Sequence, residues 1–392
     1  MDIAIAGAGI GGLAAATLLA RQGHSVEIFD QFTEPAPVGS GLMLQETGLT
    51  VLGTMGLREG AEARSAKIDR LYGRTEPSGR IVLDVRFAAL RKSLFAAAIQ
   101  RSAIFDLLYA TAVESGAQFN GDVEITGADG RFGAFKTSTG RQIGPFDLLI
   151  DGLGAHSPLS SNPRSDLPFG ALWATVPWPE GGPFSDTDLE QRYYTARQMT
   201  GLMPSGSPRE GAAPTATYFW SIEGDGEAAW RANDISVWRS NAKRLWPETE
   251  SIVDGLTHDD LTFARYRHRT LSKPVRDKLV HIGDAWHATS PQLGQGANMA
   301  LLDAYALSKA VAETSSVADA GRRFLKLRQT HVRLYQTMSW LFTPVYQSNS
   351  HILPPLRDWI AAPLSRVPPA PAFLAAMVSG ALGRPLKRLG LV

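Results

Sequence analysis

Cysteine is absent from this sequence of 392 residues. The chain therefore has no disulfide, no thiolate nucleophile, no cysteine-ligated metal and no cofactor attached through cysteine. The absence is also in keeping with a cytoplasmic location, which we expect for this protein. The other residues show no metal-ligand spacing, so the sequence predicts no metal site.

An excess of charge of either sign is lacking too. The 39 Lys and Arg residues nearly balance the 38 Asp and Glu residues, and the formal net charge is +1. Because no basic region or long charge run stands out, nucleic acid is not an expected partner. The 44% hydrophobic content is that of an ordinary globular protein, and the length allows one to three domains.

Long uninterrupted hydrophobic runs are lacking as well. Residues 3–20 are nearly all apolar, but four glycines interrupt them, and Asp2 stands where a targeting signal would carry basic residues. We therefore interpret this segment as a buried strand, Asp2–Ala6, followed by a glycine turn and a helix that begins at Ile10.

Residues 7–12 read Gly-Ala-Gly-Ile-Gly-Gly and form the first motif. Gly7 allows a tight turn after the strand, Gly9 lets the backbone approach a pyrophosphate, and Gly12 lets helix and strand pack closely. The helix N-terminus adds free N–H groups and a partial positive charge. Asp30 follows the next predicted strand, where a carboxylate can accept hydrogen bonds from a ribose. In this context the motif predicts a dinucleotide site.

A second motif begins at Gly283-Asp284 and runs through Pro291 to residues 294–298, Gly-Gln-Gly-Ala-Asn. Together with the first motif it resembles the FAD-dependent aromatic monooxygenases of the para-hydroxybenzoate hydroxylase type, the group A flavoprotein monooxygenases. The resemblance covers nearly the whole chain, and its most specific part runs from Val280 to Asp303-Ala304. It implies that the dinucleotide is FAD.

The resemblance assigns roles within the second motif. Asp284, at the end of a predicted strand, would bind the ribityl hydroxyls of FAD, and Gly294 and Gly296 would let backbone N–H groups meet the edge of the flavin ring. The helix that begins there would direct the positive end of its dipole to the flavin and stabilise the anionic reduced form.

Weaker stretches resemble other parts of the same family. Residues 41–45 are similar to its turn beside the isoalloxazine, and Arg101 leads a helix that would contact the pyrophosphate or ribityl region. Val123 stands where the family has a backbone contact to adenine. The residues expected to bind FAD are Gly7, Gly9, Ile10, Gly11, Gly12, Asp30, Gln31, Gly41, Leu42, Arg101, Val123, Asp284, Pro291, Gly294, Gly296, Ala297 and Asn298.

One stretch departs from the family pattern. Aligned through residues 154–157, the aspartate of the family's Asp-Gly motif falls on Leu153, and residues 158–160, Pro-Leu-Ser, replace the arginine that usually follows. Because that motif serves FAD and pyridine-nucleotide binding, the departure weakens the expected use of NAD(P)H as co-substrate. Asp151 could substitute, but it lies two residues earlier and would point elsewhere on the turn.

The predicted fold class is α/β, with a discontinuous Rossmann-like FAD-binding domain, an inserted antiparallel β-sheet substrate domain and a C-terminal helical region. The FAD-binding domain is expected at 1–72, 98–165 and 272–345, the substrate domain at 73–97 and 166–271, and a tail at 346–392. Residues 235–256 are predicted to form one helix.

Aromatic residues are dense between Trp173 and Trp220, where Pro and Gly punctuate predicted antiparallel strands. Such a sheet suits an aromatic ligand as the roof of its site, although core packing is the simpler explanation for any single ring. Four side chains could polarise a phenol or move its proton: Tyr194, Tyr218, Tyr266 and His287. No motif supports any of them, so we assign no catalytic base.

By resemblance, the expected reaction is hydroxylation of an aromatic or lipophilic phenolic substrate, with NAD(P)H as reductant and O2 forming a flavin C4a-hydroperoxide. Alternatives are a related reductase, dehydrogenase or halogenase, and a FAD-binding homologue with impaired NAD(P)H use or lost catalysis. The halogenase signature W-x-W-x-I-P is not met by residues 173–177, Trp-Ala-Thr-Val-Pro. A plain NAD dehydrogenase leaves the second motif unexplained.

The tail raises the question of further partners. Its apolar turns and the basic residues Arg384, Lys387 and Arg388 could touch a membrane surface, so at most a peripheral membrane contact is expected. A tail packed on the FAD-binding domain is the preferred interpretation, because no sustained amphipathic helix is visible there. We expect a monomer or a homodimer.

Overall fold

The computed structural model describes residues 1–33, 40–160 and 165–392. Its strands are β1 Asp2–Ala6, β2 Ser25–Phe29, β3 Gly41–Leu44, β4 Ala66–Ile68, β5 Arg70–Thr75, β6 Ile81–Arg86, β7 Ala96–Gln100, β8 Gln118–Asn120, β9 Ile125–Asp129, β10 Ala134–Thr137, β11 Gln142–Ile143, β12 Leu148–Asp151, β13 Ser165–Pro177, β14 Asp188–Tyr194, β15 Gln198–Pro204, β16 Thr215–Glu223, β17 Thr262–His268, β18 Val275–Arg276 and β19 Leu279–His281.

The α-helices alternate with these strands in the first part of the chain and dominate the last part. They are α1 Ile10–Ala20, α2 Glu46–Thr54, α3 Arg58–Ala63, α4 Arg101–Glu114, α5 Glu227–Ala232, α6 Ile235–Leu245, α7 Glu250–Val253, α8 Asp284–His287, α9 Gly296–Ala312, α10 Val317–Tyr346, α11 Leu353–Leu356, α12 Ala362–Leu364, α13 Ala370–Val378 and α14 Pro385–Leu389. A π-helical turn, Arg357–Ala361, joins α11 to α12.

A mainly parallel sheet has the strand order β18-β19-β12-β1-β2-β8. Its central strand β1 pairs in parallel with β2 and with β12, and β18 alone in this sheet is antiparallel to its neighbour. Helix α1 packs against α4 and α9, so the first and second motifs are joined through the core. This sheet with its βαβ start confirms the predicted α/β class.

A second sheet has the strand order β17-β13-β16-β15-β14-β5-β6, and only the pair β14 and β5 is parallel. Side chains alternate between its two faces. Tyr218 and Trp220 point to the face that packs on Trp238 of α6. Their neighbours Trp173 and Phe219 point to the opposite face, with ring centroids 4.9 Å apart. The sheet thus has one core face and one face free to meet a ligand.

Two predicted elements differ from the structure. Residues 235–256 do not form one helix, because α6 ends at Leu245 and Pro247 opens a short 3₁₀ turn before α7. Proline lacks the N–H that would continue the helix ladder. Residues 41–44 form strand β3 rather than a turn, since they pair with the fully buried strand β7.

The C-terminal tail is a series of short helices packed on the rest of the molecule. Met377 and Val378 of α13 and Leu389 of α14 are buried in the same hydrophobic cluster as Ile3 and Leu13 near the chain start. Among the described residues, none of the helices combines the length and the apolarity that a membrane crossing requires.

Candidate active site

One cavity, with a volume of about 920 Å³, is lined by residues of both motifs. The expected FAD-binding residues in its lining are Gly9, Ile10, Gly11, Gly41, Leu42, Arg101, Asp284, Pro291, Gly294, Gly296 and Ala297. Much of the remaining lining comes from the seven-stranded sheet and from the tail. The fold therefore brings together two motifs that are far apart in the chain.

The glycine turn after β1 leaves no room for side chains. Gly7 has a φ of +97°, and a Cβ atom there would lie 2.7 Å from the carbonyl oxygen of Gly152. A Cβ atom on Gly12 would collide with the carbonyl oxygen of Gly7. Gly9 precedes α1 without a side-chain cap, so the first N–H groups of the helix remain for a ligand at the cavity wall. This arrangement suits a phosphate group.

Asp30 lies beside the glycine turn rather than in the cavity wall. Its carboxylate accepts hydrogen bonds from the backbone N–H of Ala8 at 2.7 Å and of Phe32 at 3.2 Å. Its carbonyl oxygen accepts a hydrogen bond from the N–H of Val123 at 2.9 Å. Asp30, Val123 and the exposed Gln31 thus form a group at the end of β2, where the resemblance places the adenosine.

Arg101 and Asp284 are two charged side chains without hydrogen-bond partners among the described residues. Protein surrounds both groups, yet the cavity leaves their side chains accessible. Burial lowers the pKa of Arg101, and the nearby Asp284 opposes this change. Burial raises the pKa of Asp284, since it disfavours the charged form here too, and His287 and Arg101 oppose this change. Such groups fit a ligand that offers phosphates to one and hydroxyls to the other, as FAD does.

Asn298 holds the wall of the cavity together. Its side-chain oxygen accepts a hydrogen bond from the N–H of Gln45 at 2.8 Å, and its amide donates to the carbonyl oxygen of Met43 at 3.0 Å. It also forms a short hydrogen bond with the Gln45 side chain. Asn298 does not line the cavity. Its hydrogen bonds to Met43 and Gln45 instead fix β3 against α9. The role of Gln45 had no signal in the sequence beyond its place at the end of the 41–45 stretch.

A buried network supports the Gly283-Asp284 turn from behind. The Asp303 carboxylate accepts hydrogen bonds from the Gly283 N–H at 2.9 Å, from His287 Nε2 at 2.6 Å and from Arg328 Nε at 2.6 Å. Burial alone would raise the pKa of Asp303, but His287 and Arg328 lower it to about 2. Arg328 could not be predicted from the sequence because it belongs to no motif. Only the packing of α10 on α9 brings it to Asp303.

The four candidate catalytic side chains fall in different places. Tyr266 lines the cavity, whereas Tyr218 packs on α6 at the other face of the sheet. Tyr194 is 58% exposed and stands apart from the cavity lining, and His287 is buried against Asp303. Burial raises the pKa of Tyr266, so its hydroxyl stays protonated near neutral pH.

The stretch that departs from the family pattern has its own internal hydrogen bonds. The Asp151 carboxylate accepts from Ser157 Oγ at 2.6 Å and from the Leu153 N–H at 3.0 Å, and it lies 2.6 Å from His281 Nδ1. These contacts occupy the Asp151 carboxylate. Leu153 itself packs against the cluster that contains Phe29.

Comparisons with known proteins agree with this geometry. The family model described as FAD binding domain matches residues 1–137 and 184–326, well over half of the chain. A kynurenine 3-monooxygenase from Salinispora arenicola is 27% identical over 369 residues, which cover 86% of this chain and 78% of that protein. A 2-heptyl-3-hydroxy-4(1H)-quinolone synthase from Mycobacteroides abscessus is 26% identical over 352 residues, covering 86% and 88%.

The fold also has counterparts among solved structures. Klebsiella pneumoniae HpxO, solved in complex with FAD and uric acid, superposes with a TM-score of 0.78 at 20% identity and covers 97% of both chains. At that identity the likeness concerns the fold, and it extends over nearly the entire molecule.

Proposed function

This chain belongs to the family of FAD-dependent aromatic monooxygenases, and on that premise we propose that it hydroxylates an aromatic or lipophilic phenolic substrate with NAD(P)H and O2. The overall reaction converts Ar–H, O2, NAD(P)H and a proton into Ar–OH, water and NAD(P)+. The observation that carries the proposal is the cavity, whose lining joins residues expected to bind FAD to a chamber with apolar and aromatic walls.

Bound FAD would supply the redox chemistry, taking two electrons from the reduced nicotinamide and activating O2. The chain's share is binding and electrostatics. The N–H groups at the start of α1 and the Arg101 guanidinium would hold the pyrophosphate, and Asp284 would bind the ribityl hydroxyls. The start of α9, with Gly296 and Ala297 in the cavity wall, would favour negative charge nearby.

The chamber opposite these residues suits a flat apolar ring. Trp173 and Phe219 form a tilted pair on its wall, and Met199 and Leu189 extend the same surface. These side chains would exclude water from the reacting atoms. Relatives named for kynurenine and for a heptyl-quinolone support an aromatic substrate class.

Tyr266 is the side chain we assign to substrate orientation. Because burial raises its pKa, the hydroxyl would donate a hydrogen bond to a phenol oxygen rather than remove its proton. Tyr266 lies on β17 two residues from Ala264, and both residues line the cavity, which supports this assignment.

Reduction and product analysis would test the proposal. Purified protein reconstituted with FAD should be yellow, and anaerobic NADH or NADPH should bleach it faster when a suitable phenol is present. Turnover under ¹⁸O2 should then place one labelled oxygen in the product. A protein that stays colourless with added FAD would contradict the flavoprotein assignment, and bleaching without labelled product would favour a reductase.

A second candidate, an enzyme that receives electrons from another reductant, is favoured by the residues at 151–153. Asp151 is occupied and Leu153 is apolar, so the family's nicotinamide-binding carboxylate has no equivalent there. A Leu153→Asp variant that gains NAD(P)H reduction would support this second candidate. Leu159→Asp is the matched control, since Leu159 packs against the same cluster.

A further inference from the structure

Exposed apolar side chains are concentrated in one stretch of the chain. Of the seventeen large hydrophobic side chains exposed among the described residues, nine lie within residues 340–373. Six of them do not line the cavity, and we call these six the outer patch: Trp340, Ile352, Leu356, Trp359, Ile360 and Val367. A surface in contact with water alone does not explain such a concentration.

The same segment also forms the wall of the cavity. Ala362, Leu374 and Met377 line it from the inside, and two further wall residues, Leu364 and Phe373, are 61% and 45% exposed. Residues 356–378 therefore contribute apolar side chains both to the cavity wall and to the outer surface. A helical segment that is apolar on both sides is normally covered on both.

The charge of the tail is strongly one-sided. Residues 334–392 contain five Lys and Arg residues and one acidic residue, a net charge of +4 in a chain whose total is +1. The single acidic residue, Asp358, forms an ion pair with Arg357, whose Nε lies 2.7 Å from the Asp358 carboxylate. The other four cations are exposed: Arg366, Arg384, Lys387 and Arg388. The tail that carries most of the outer patch thus has a net charge that complements a negatively charged surface.

We propose that the outer patch docks on the surface of an anionic lipid bilayer, and that a lipophilic aromatic substrate passes from the lipid through this wall into the cavity. Docking follows from the patch and the charges, whereas the substrate route rests on the proposed function. Trp340 and Trp359 are suited to the polar–apolar boundary of a bilayer, and each exposed cation adds attraction to anionic headgroups. A two-fold contact between two copies would instead place the same basic tails close to each other.

Vesicle co-sedimentation of the FAD-loaded full-length protein tests the docking. Vesicles of phosphatidylcholine with phosphatidylglycerol should bind the protein, phosphatidylcholine alone should bind it several-fold less, and salt should weaken binding. The Trp340→Ser/Ile352→Ser double variant should lower the bound fraction about tenfold or more. The double variant keeps Trp359, because the Arg80 guanidinium stacks on its ring at 3.4 Å and a substitution there would also remove that contact.

The matched control is Phe132→Ser, which removes a side chain of 55% exposure from the turn between β9 and β10. Its binding should equal that of the unmodified protein. Retention of bound FAD and of the melting temperature shows that the variants fold. Quenching of tryptophan fluorescence by brominated anionic lipid, expected for the unmodified protein, needs no variant.

Three results would overturn the docking proposal. They are no binding to anionic vesicles at low salt, equal binding of the double variant, and a dimer in analytical ultracentrifugation that the double variant abolishes. All three concern binding or assembly, so they leave the hydroxylation assay unaffected. Hydroxylation of water-soluble phenols only, in a protein that does bind vesicles, would overturn the substrate route alone.

Discussion

The side-chain amide of Gln295, at the start of α9, donates a hydrogen bond to the main-chain carbonyl of Val378 in α13 at 2.8 Å. Two residues later, Gly380 has a φ of +77°, and a Cβ atom there would lie 2.7 Å from both Gln295 Oε1 and Thr47 Oγ1. The C-terminal tail therefore supports the loop expected to hold the flavin ring. A substitution that disturbs the tail at this point should also weaken FAD binding.

We predict that Gly380→Ala weakens FAD binding as well as stability. A left-handed φ strains any residue with a Cβ atom by about 1 kcal/mol, and the collision with Gln295 adds to this. Gly23→Ala is the control, because Gly23 has a φ of +83° and open space around it. Melting temperatures should fall for both variants, and fluorescence titration should show weaker FAD binding for Gly380→Ala only. Equal FAD affinity in both would contradict the link between the tail and the cofactor loop.

Arg101→Gln should weaken FAD binding by about 10- to 100-fold, the loss of one charge-assisted contact to phosphate. The side chain makes no hydrogen bond among the described residues, so its removal leaves no hydrogen-bond acceptor of the protein newly unpaired. Arg333→Gln, on the exposed side of α10, is the matched control. Isothermal titration of the apoprotein with FAD measures the difference, and an unchanged affinity would remove Arg101 from the cofactor site.

His331 should make the protein sensitive to mild acid. Burial, with the nearby Arg328, lowers the pKa of His331 well below 6.5. A group whose pKa is depressed by folding adds stability above its unfolded pKa, and this stability is lost as the pH falls. The free energy of unfolding should therefore drop by up to about 1.4 kcal/mol per pH unit below about pH 6.5 from this one group.

Denaturant titrations of the unmodified protein and of His331→Gln between about pH 7.5 and 5.5 would isolate this contribution. The variant should show a shallower dependence on pH, although its stability at the upper end will be lower because Arg328 loses a partner at 3.0 Å. His351→Gln, at an exposed position, should keep the slope of the unmodified protein. Parallel slopes for all three proteins would show that His331 titrates normally.

Tyr266→Phe should lower kcat/KM about 5- to 10-fold without changing FAD affinity, because it removes one hydrogen bond to the substrate. Tyr218→Phe provides the comparison, since Tyr218 lies on the same sheet but on the face that packs on α6. Steady-state rates with one phenol decide the matter. A similar loss in both variants would point to the stability of the sheet rather than to substrate contact.

Much of the cofactor half was predictable from local sequence. Gly7 and Gly12 must be glycines because the backbone of Gly152 and of Gly7 itself occupies the space of a side chain, and that requirement is visible as a spacing. The bounds of strand β1 were predicted correctly, since a short apolar strand before a glycine turn has a sharp end. The family and the cofactor were also predicted correctly, because the two motifs that indicate them are local spacings of residue types.

Elements that depend on distant partners were less visible. Strand β3 exists because β7 pairs with it, and nothing within residues 41–44 distinguishes such a strand from a turn. The aromatic stretch from Trp173 to Trp220 gave no indication of which ring faces the cavity, because the faces alternate residue by residue and one slip in register exchanges them.

Residue types at fixed local spacings account for the two glycine motifs, the class of the cofactor and the missing aspartate at Leu153, and all three are readable without coordinates. Tertiary structure alone decided that Arg101 and Asp284 share one cavity, that Asp151 is occupied by Ser157 and His281, and that the tail walls the chamber. These relationships join residues far apart in the chain, and only the packing of helices on sheets sets the distances between them.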